Sequence, residues 1–215
     1  NLFYTALGDV VYPTAGLGVV YNRQAHSQLF MTTNPAANQI QGHTDDITCI
    51  ARHPNGLVFA SGEVGKNPKI IVWSANALSK PVMVQGYFKK AVVAATFSRD
   101  GSKLCAVDCD FDHKIGVYNW QTGELLSRCS GSPEKIVAIE WSPFQDYMVT
   151  MGVKHCMFWS TEPLKGRKAV FSKRGTIQTS LCCGFPGADT TVVGTQDGSL
   201  YLFRGYQLGT NAHRV

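Results

Sequence analysis

The residue types that could attack a substrate or bind a metal ion are scattered along this chain without a catalytic spacing. No two of the six histidines stand four residues apart, as the ligands of a helical zinc-protease motif must. Asp112 and His113 are adjacent and Cys109 lies close by, but a structural zinc site needs four convergent ligands. The sequence contains neither a G-x-S-x-G turn nor a Gly-rich phosphate loop. We therefore predict a protein that is not an enzyme and uses no metal or cofactor.

Charge recognition is the second kind of chemistry that the residues suggest, because basic side chains cluster in one ten-residue segment. The basic residues of this segment are Lys165, Arg167, Lys168, Lys173 and Arg174. Such a cluster predicts a contact with an acidic partner surface. The alternative is a solvated connector whose charges keep an outer strand from pairing with other chains. Lys89 and Lys90 precede a strand and form a second candidate, with ordinary surface lysines as the alternative.

The composition is that of a globular protein and excludes several classes of partner. Hydrophobic residues make up 44% and charged residues 16%, and the net charge of +5 is too small to indicate nucleic-acid binding. No apolar run reaches the roughly 18 residues that span a membrane. The seven cysteines are odd in number and form no C-x-x-C pair, which favours reduced thiols in a cytoplasmic protein. No small-molecule substrate is expected.

A repeat of strands positions all of these residues. Four apolar strands close on Trp73, Tyr118, Trp159 and Phe203, which are 45, 41 and 44 residues apart. This period is typical of the four-stranded blades of a WD-repeat propeller. Two further strands, at 9–12 and 17–21, indicate about half of a preceding blade. The sequence therefore predicts an all-β fold, a WD40-type β-propeller present as a partial ring of about four and a half four-stranded blades.

The predicted blades divide the whole chain. Their ranges are 1–40 for the partial first blade, then 41–80, 81–127, 128–165 and 166–215. Four and a half blades cannot close a ring, and an open array leaves unpaired strand edges at both ends. We therefore expect further blades after Val215 in the intact protein and an N-terminus upstream of Asn1.

Some positions have a structural role in WD repeats. There, an acidic residue six positions before the closing aromatic tightens the hairpin and accepts hydrogen bonds from a neighbouring histidine. Asp112 and Asp197 occupy this position, whereas Asn67 and Val153 occupy it in the other two blades, which are expected to lack the acid. His43, in a Gly-His pair, is the one clear partner. The predicted structural residues are His43, Trp73, Asp112, Tyr118, Trp159 and Asp197.

Several segments match, in order, the first propeller of one known family. The most selective is Leu104–Asp108, followed by Asp112-His113 and by Val117–Trp120. Further matches lie at 1–4, 8–12, 19–22, 42–47, 53–54 and 209–211. On these residues the chain resembles the echinoderm microtubule-associated protein-like family over essentially its whole length. Tyr118-Asn119 and Phe203-Arg204 depart from the usual Trp-Asp pair.

The resemblance implies a particular function. It identifies the chain with the N-terminal propeller of a tandem propeller domain, and it implies a non-enzymatic protein that binds tubulin or a microtubule lattice. The implied location is the cytoplasm and its microtubule cytoskeleton, with a ciliary or flagellar axoneme, and other axonemal proteins as partners, as one setting. The alternative is a general WD-repeat interaction scaffold without direct tubulin contact. The family's hydrophobic HELP motif directly before Asn1 would favour the microtubule-binding interpretation. A short helical adaptor motif at the same place would favour the general scaffold.

Overall fold

The computed structural model describes residues 2–31, 42–76 and 80–214, with Arg174 and residues 210–214 described through their backbone only. Five four-stranded antiparallel sheets follow one another along the chain, each with its strands in sequence order. The predicted all-β propeller fold is confirmed.

The strands fall into five blades of four. The first three are β1 (Phe3–Tyr4), β2 (Val10–Thr14), β3 (Leu17–Asn22) and β4 (Ser27–Phe30); β5 (Ile47–Arg52), β6 (Val58–Glu63), β7 (Ile70–Ser74) and β8 (Val82–Val84); and β9 (Val92–Phe97), β10 (Lys103–Asp108), β11 (Ile115–Asn119) and β12 (Glu124–Cys129). The last two are β13 (Ile136–Trp141), β14 (Tyr147–Gly152), β15 (His155–Thr161) and β16 (Leu164–Lys168); and β17 (Ser180–Gly187), β18 (Thr190–Thr195), β19 (Ser199–Arg204) and β20 (Gln207–Arg214). Within the described ranges the one helix is a 3-10 turn at Ser172–Arg174.

The burial of each strand follows its place in the blade. The first strands β5, β9, β13 and β17 pack against one another from blade to blade, which makes them the innermost strands. The middle strands of the second to fourth blades, such as β7, are buried on both faces because these blades have a neighbour on each side, whereas β18 and β19 of the fifth blade alternate. The outer strand β12 alternates between exposed and half-buried residues. The sequence pattern thus changes from continuous to alternating as a blade is followed outward.

The core consists of apolar layers between neighbouring blades. Phe59 and Trp73 stack with ring centroids 5.3 Å apart in the layer of the first two blades. Trp159 is buried between the third and fourth blades, and Phe158 packs 5.5 Å from Phe203 between the fourth and fifth. Each such aromatic side chain removes a large apolar area from water, so these layers supply the main favourable free energy of the fold.

The antiparallel order gives the partial ring two unlike faces. The turns that join first to second and third to fourth strands share one face, which we call the turn face. The loops that join second to third strands, and the connections between blades, share the other, which we call the loop face. On the turn face each first turn bonds to the next: Ala6 N donates to Gly56 O at 2.8 Å, and Arg99 Nη1 donates to Phe144 O at 2.8 Å. These bonds hold neighbouring blades in register.

The first blade is more complete than its sequence predicted. The predicted inner and outer strands are β2 and β3, which form the middle of a four-stranded sheet. The flanking strand β1 has two residues and all four residues of β4 are exposed, so neither carries the apolar pattern that reveals a strand. Half a blade was therefore an underestimate.

The predicted blade limits also shift by a few residues. Strand β8 lies beyond residue 80, β12 runs past residue 127, and β16 runs past residue 165. All three are outer strands, whose partly exposed residues give a weak hydrophobic signal. The sequence therefore locates the centres of blades better than their outer edges.

Candidate functional site

The spaces between neighbouring blades on the turn face are filled to different degrees. Between the second and third blades, Trp120 packs against His53 with ring centroids 5.8 Å apart, and its Nε1 donates to Gly101 O at 2.7 Å. Between the third and fourth blades, Lys103 forms an ion pair with Glu162 across the gap. Between the first and second blades lies a small apolar groove of 240 Å³ that Leu7 and Leu29 line. The space between the fourth and fifth blades is open and of a different character.

This open space is a cleft of 460 Å³, which we call the basic notch. Its cationic residues are Lys165 and Arg167 on β16 and Arg204 at the end of β19, and all three are exposed. Four aromatic residues, Tyr147, Phe158, Trp159 and Tyr206, also line it; the Phe158 side chain is buried beneath it, whereas the Trp159 ring packs toward the third blade. The notch therefore joins an apolar floor to a positively charged rim.

Local backbone features place the three cations. Lys165 pairs with Ser160 and Arg167 with Phe158 in the β15–β16 ladder, so both side chains emerge on the same side of β16. Gly166 lies flat on Trp159, since a Cβ atom there would stand 2.7 Å from the indole ring. Arg204 precedes a tight turn at Gly205, whose φ of 58° is left-handed. The turn also places Tyr206 beneath Arg167, with 5.2 Å between the guanidinium carbon and the ring centroid.

The two acidic residues of the notch are engaged by other groups. Asp146 accepts hydrogen bonds from Trp141 Nε1 at 3.0 Å and from the Thr161 hydroxyl. Asp189 Oδ1 accepts from Gln145 Nε2 at 3.3 Å. Among the described residues, none of the three cations of the notch forms an ion pair. Within the described part of the chain, the three cations are therefore free of ion pairs and outnumber the two carboxylates of the notch by one.

The predicted basic segment is divided by the structure. Lys165 and Arg167 share the notch, whereas Lys168 extends from the other side of β16. Lys173 is exposed in the 3-10 turn that leads to the fifth blade, and the side chain of Arg174 lies outside the described part of the chain. The segment is not a single connector, because residues 164–168 form the outer strand of the fourth blade.

Lys89 and Lys90 lie on the loop face. Their backbone N–H groups donate to the carboxylate of the buried Asp108, at 2.7 Å and 3.3 Å. Lys90 Nζ also forms an ion pair with Asp110 Oδ1 at 3.0 Å. This pair is well exposed, so it adds little to stability and leaves the ammonium group accessible.

His43 belongs to a chain of hydrogen bonds in the second blade. Trp73 Nε1 donates to Ser61 Oγ at 3.0 Å, Ser61 Oγ lies 2.6 Å from His43 Nε2, and His43 Nδ1 lies 3.0 Å from Glu63 Oε2. Burial lowers the pKa of His43 from its ordinary value, against the opposing effect of Glu63. The expectation that this blade lacks the acid, because Asn67 occupies its position, was wrong. Glu63, ten residues before the closing Trp73, supplies it.

The acid of the third blade also differs from the expected one. Asp112 accepts from the Ser130 hydroxyl at 3.0 Å rather than from a histidine. The buried acid of this blade is Asp108, again ten residues before the closing aromatic, which holds the backbone N–H groups at the start of β9. Its spacing and its place at the end of a second strand were visible in the sequence. The closing Tyr118 itself is buried, and its hydroxyl has no hydrogen-bond partner among the described residues.

The fourth and fifth blades use other donors and acceptors. Trp159 Nε1 donates to Thr150 Oγ1 at 2.8 Å, and that hydroxyl lies 2.7 Å from Nε2 of the buried His155. His155 lies on the third strand of the blade and not in a Gly-His pair, so the sequence pattern did not predict its role. Asp197 accepts from Gln178 Nε2 at 2.8 Å and from Thr195 Oγ1 at 2.7 Å. These bonds, the one from Gln178 foremost, hold the pKa of Asp197 well below its usual range.

The described residues contain no group of metal-ligating side chains, and their cysteines are not bonded to one another. Within them no three His, Cys, Asp or Glu side chains converge as a metal site. All seven cysteines carry free thiols, and burial raises the pKa of Cys49 and Cys156 to about 12, which keeps them protonated and unreactive. None of the helical residues described forms a segment long and apolar enough to cross a membrane.

Repeated four-stranded blades, with aromatic-to-hydroxyl-to-histidine hydrogen bonds in two of them, define a WD-repeat β-propeller. Solved propellers have the same fold: the structure of U3-55K superimposes with a TM-score of 0.76 at 18% identity, covering 96% of this chain and 62% of that one. The RRP9 WD40 repeats give a TM-score of 0.75, also at 18% identity, with 96% of this chain and 61% of that one covered. At this identity the likeness concerns the fold alone.

The chain belongs to the echinoderm microtubule-associated protein family. The family profile described as "Echinoderm microtubule-associated protein first beta-propeller" matches residues 40–214. The resemblance stated from the sequence is thereby confirmed.

Individual relatives agree with this assignment. Echinoderm microtubule-associated protein-like 1 of Rattus norvegicus is 31% identical over 94% of this chain and 26% of its own length. Echinoderm microtubule-associated protein-like 2 of the same species is 32% identical, with 94% and 32% covered. The 77 kDa echinoderm microtubule-associated protein of Strongylocentrotus purpuratus is 28% identical, with 94% and 30% covered. The chain thus spans about a quarter to a third of the length of these relatives.

Proposed function

We propose that this protein is a non-enzymatic microtubule-associated protein that binds tubulin, with the basic notch as its main contact. The observation that carries the proposal is the set of three unpaired cations around an open cleft, in a chain whose relatives are named for their association with microtubules. Tubulin is an acidic protein, so a positive rim increases the rate of encounter and selects the partner.

The remaining basic residues have a smaller role in this proposal. Lys168 and Lys173 extend from the same segment, and Lys89 and Lys90 lie on the loop face, away from the notch. Arg174 belongs with Lys173 by sequence. We assign these residues to secondary contacts, since exposed charges act over about one Debye length of roughly 8 Å at physiological salt.

The proposed setting follows from the proposed partner. A protein that binds tubulin acts in the cytoplasm on the microtubule cytoskeleton, and a ciliary or flagellar axoneme with its other lattice proteins is one such setting. The work there is binding by surface complementarity, without turnover of a substrate.

Co-sedimentation with stabilised microtubules at rising salt tests the proposal. The parent protein is expected to pellet with microtubules and to lose affinity as salt screens the contact. The triple charge reversal Lys165→Glu, Arg167→Glu and Arg204→Glu is expected to weaken binding by about tenfold, since exposed ion pairs are worth about 0.5 kcal/mol each and reversal adds repulsion.

A matched control distinguishes a local contact from general charge. Arg128 is also exposed on an outer strand, β12, and also lies over a tyrosine, with 5.8 Å to the Tyr87 ring centroid. Arg128→Glu is expected to leave pelleting close to that of the parent. Absence of pelleting at every salt concentration would refute direct microtubule binding.

A general interaction scaffold is the second candidate, and exposed apolar residues favour it. Phe111 is 82% exposed on the loop face and Leu7 is 73% exposed beside the apolar groove of the first two blades. Exposed apolar side chains of this size mark protein contacts when they lie in a patch. If the protein does not pellet with microtubules, the substitutions Phe111→Ser and Leu7→Ser test whether the loop face or the apolar groove binds another partner, because each removes an exposed apolar side chain from one of them.

A further inference from the structure

We propose that the basic notch binds an extended, carboxylate-rich peptide segment whose acidic side chains stand at alternate positions. This inference rests on the proposed function, because it takes the same notch as the contact. It adds the conformation and the residue spacing of the segment that enters.

The shape of the notch favours a single extended chain over a broad folded surface. The cleft measures 460 Å³ and lies between two blades, within the roughly 300–1,000 Å³ that ligand sites occupy. A convex protein surface touches only the rim of such a cleft. A peptide in the extended conformation, which advances about 3.3 Å per residue, can lie in it and reach its aromatic floor.

The spacing of the cations matches an alternating acidic pattern. Lys165 and Arg167 are alternate residues of one strand, so their side chains leave the same face about 7 Å apart. An extended peptide repeats its own side chains on one face at the same distance. Acidic residues at alternate positions therefore meet both cations, whereas residues three apart point to opposite faces.

The fifth blade supplies the opposing wall. Arg204 reaches the notch from the end of β19, where its position is set by the tight turn at Gly205. A guanidinium group donates two parallel N–H hydrogen bonds to a carboxylate, which adds orientation to charge. Charge on both walls holds a chain that runs along the cleft between them.

The cations are partly ordered before any ligand arrives. Arg167 lies over the Tyr206 ring, and the chain that leaves β16 fixes Tyr206 through a bond from Val170 N to Tyr206 O at 2.8 Å. Ordering in advance lowers the entropy lost on binding. The two notch acids are not paired with the cations: Asp146 accepts hydrogen bonds from Trp141 and Thr161, and Asp189 from Gln145.

The space between the third and fourth blades, unlike the basic notch, is bridged by charged side chains. Between the third and fourth blades, Arg99 donates to Phe144 O and Lys103 pairs with Glu162. Both cations there are used to join the blades. In the basic notch, Lys165, Arg167 and Arg204 form no ion pair among the residues that the structure describes.

Fluorescence anisotropy with two labelled synthetic peptides tests the inference. Both have the same length, three glutamates and serine elsewhere; one carries glutamate at alternate positions and the other at every third position. We expect the alternating peptide to bind about fivefold more tightly, since only it places neighbouring carboxylates on both Lys165 and Arg167. The double variant Arg167→Gln and Arg204→Gln is expected to weaken its binding by about tenfold, and the matched control Arg128→Gln to leave it unchanged.

Each outcome separates the inference from the proposed function. Equal affinity for the two peptides, or binding that the double variant leaves intact, would overturn the inference. Loss of microtubule pelleting in the charge-reversed protein without any peptide binding would overturn the inference and support the proposed function. Preferential binding of the alternating peptide without any microtubule pelleting would support the inference and overturn the proposed function. Far-ultraviolet circular dichroism and thermal unfolding confirm that each variant is folded.

Discussion

Acidification is expected to destabilise the fourth blade through His155. This side chain is 3% exposed, and its Nε2 lies 2.7 Å from Thr150 Oγ1, which already accepts the hydrogen bond of Trp159 Nε1. Burial, with smaller effects from the nearby His113 and Lys168, lowers the pKa of His155 to about 4 from its ordinary 6.5. In the neutral ring Nε2 accepts a hydrogen bond from the Thr150 hydroxyl, which completes the chain of bonds, whereas a protonated Nε2 cannot accept one.

The direction and size of the effect follow from proton linkage. The unfolded chain binds a proton at His155 near pH 6.5 and the folded chain only near pH 4, so acid favours unfolding between these values. The stabilisation is complete above pH 6.5 and falls as the pH drops below it. The two pKa values correspond to about 3 kcal/mol in full, of which about 2 kcal/mol is lost between pH 7 and pH 5.

Urea unfolding at pH 7 and pH 5 measures this loss. His155→Gln cannot titrate, so its free energy of unfolding should fall by about 2 kcal/mol less than that of the parent over the same interval. His26→Gln, at an exposed position, is the matched control and should follow the parent. If the His155→Gln protein lost as much stability as the parent between the two pH values, the assignment of a buried neutral imidazole would be refuted.

Three further substitutions test the packing of the blades by thermal or urea unfolding. Ser61→Ala leaves His43 Nε2 and Trp73 Nε1 without their shared hydroxyl and should cost about 1–3 kcal/mol; no loss would contradict the proposed chain of bonds. Asp108→Ala removes the acceptor of three backbone N–H groups and should cost about 2–3 kcal/mol, more than Asp112→Ala, which loses one serine bond. Gly152→Ala places a Cβ 1.9 Å from the Lys135 carbonyl oxygen and should lower the melting temperature by several degrees, whereas Gly184→Ala meets nothing within 4 Å and should not.

Much of the fold was predictable from the sequence because its signals are local. The closing aromatics recur at the blade period, and each blade repeats the same order of four antiparallel strands joined by short turns. The alternation of apolar and polar residues along a strand follows from the pleat of that one segment, so it can be recognised from neighbouring residues in the sequence. The first and last strands of the first blade escaped prediction for the same reason, since β1 is too short and β4 too exposed to carry that pattern.

Some of the hydrogen-bonded polar residues inside the blades could be predicted from the sequence, and others could not. Glu63 and Asp108 share a spacing of ten residues before the closing aromatic, which a comparison of the two blades would reveal. His155 has no such signal, because it occupies a place on the closing strand that other blades fill differently. A buried polar group takes whichever partner the surrounding packing brings within reach, and sequence spacing alone does not show which one that is.

The class of fold, the blade period and the basic character of the segment at 165–174 could all be predicted from the amino-acid sequence. The packing of the blades places Lys165 and Arg167, but not Lys168, at a cleft, and it brings Arg204, 37 residues after Arg167, to the same cleft. The physical reason is that strand formation depends on nearby residues, whereas a site between blades depends on how two separately formed sheets pack. The face that each side chain takes, and the neighbour that leaves a space open or fills it, follow from that packing.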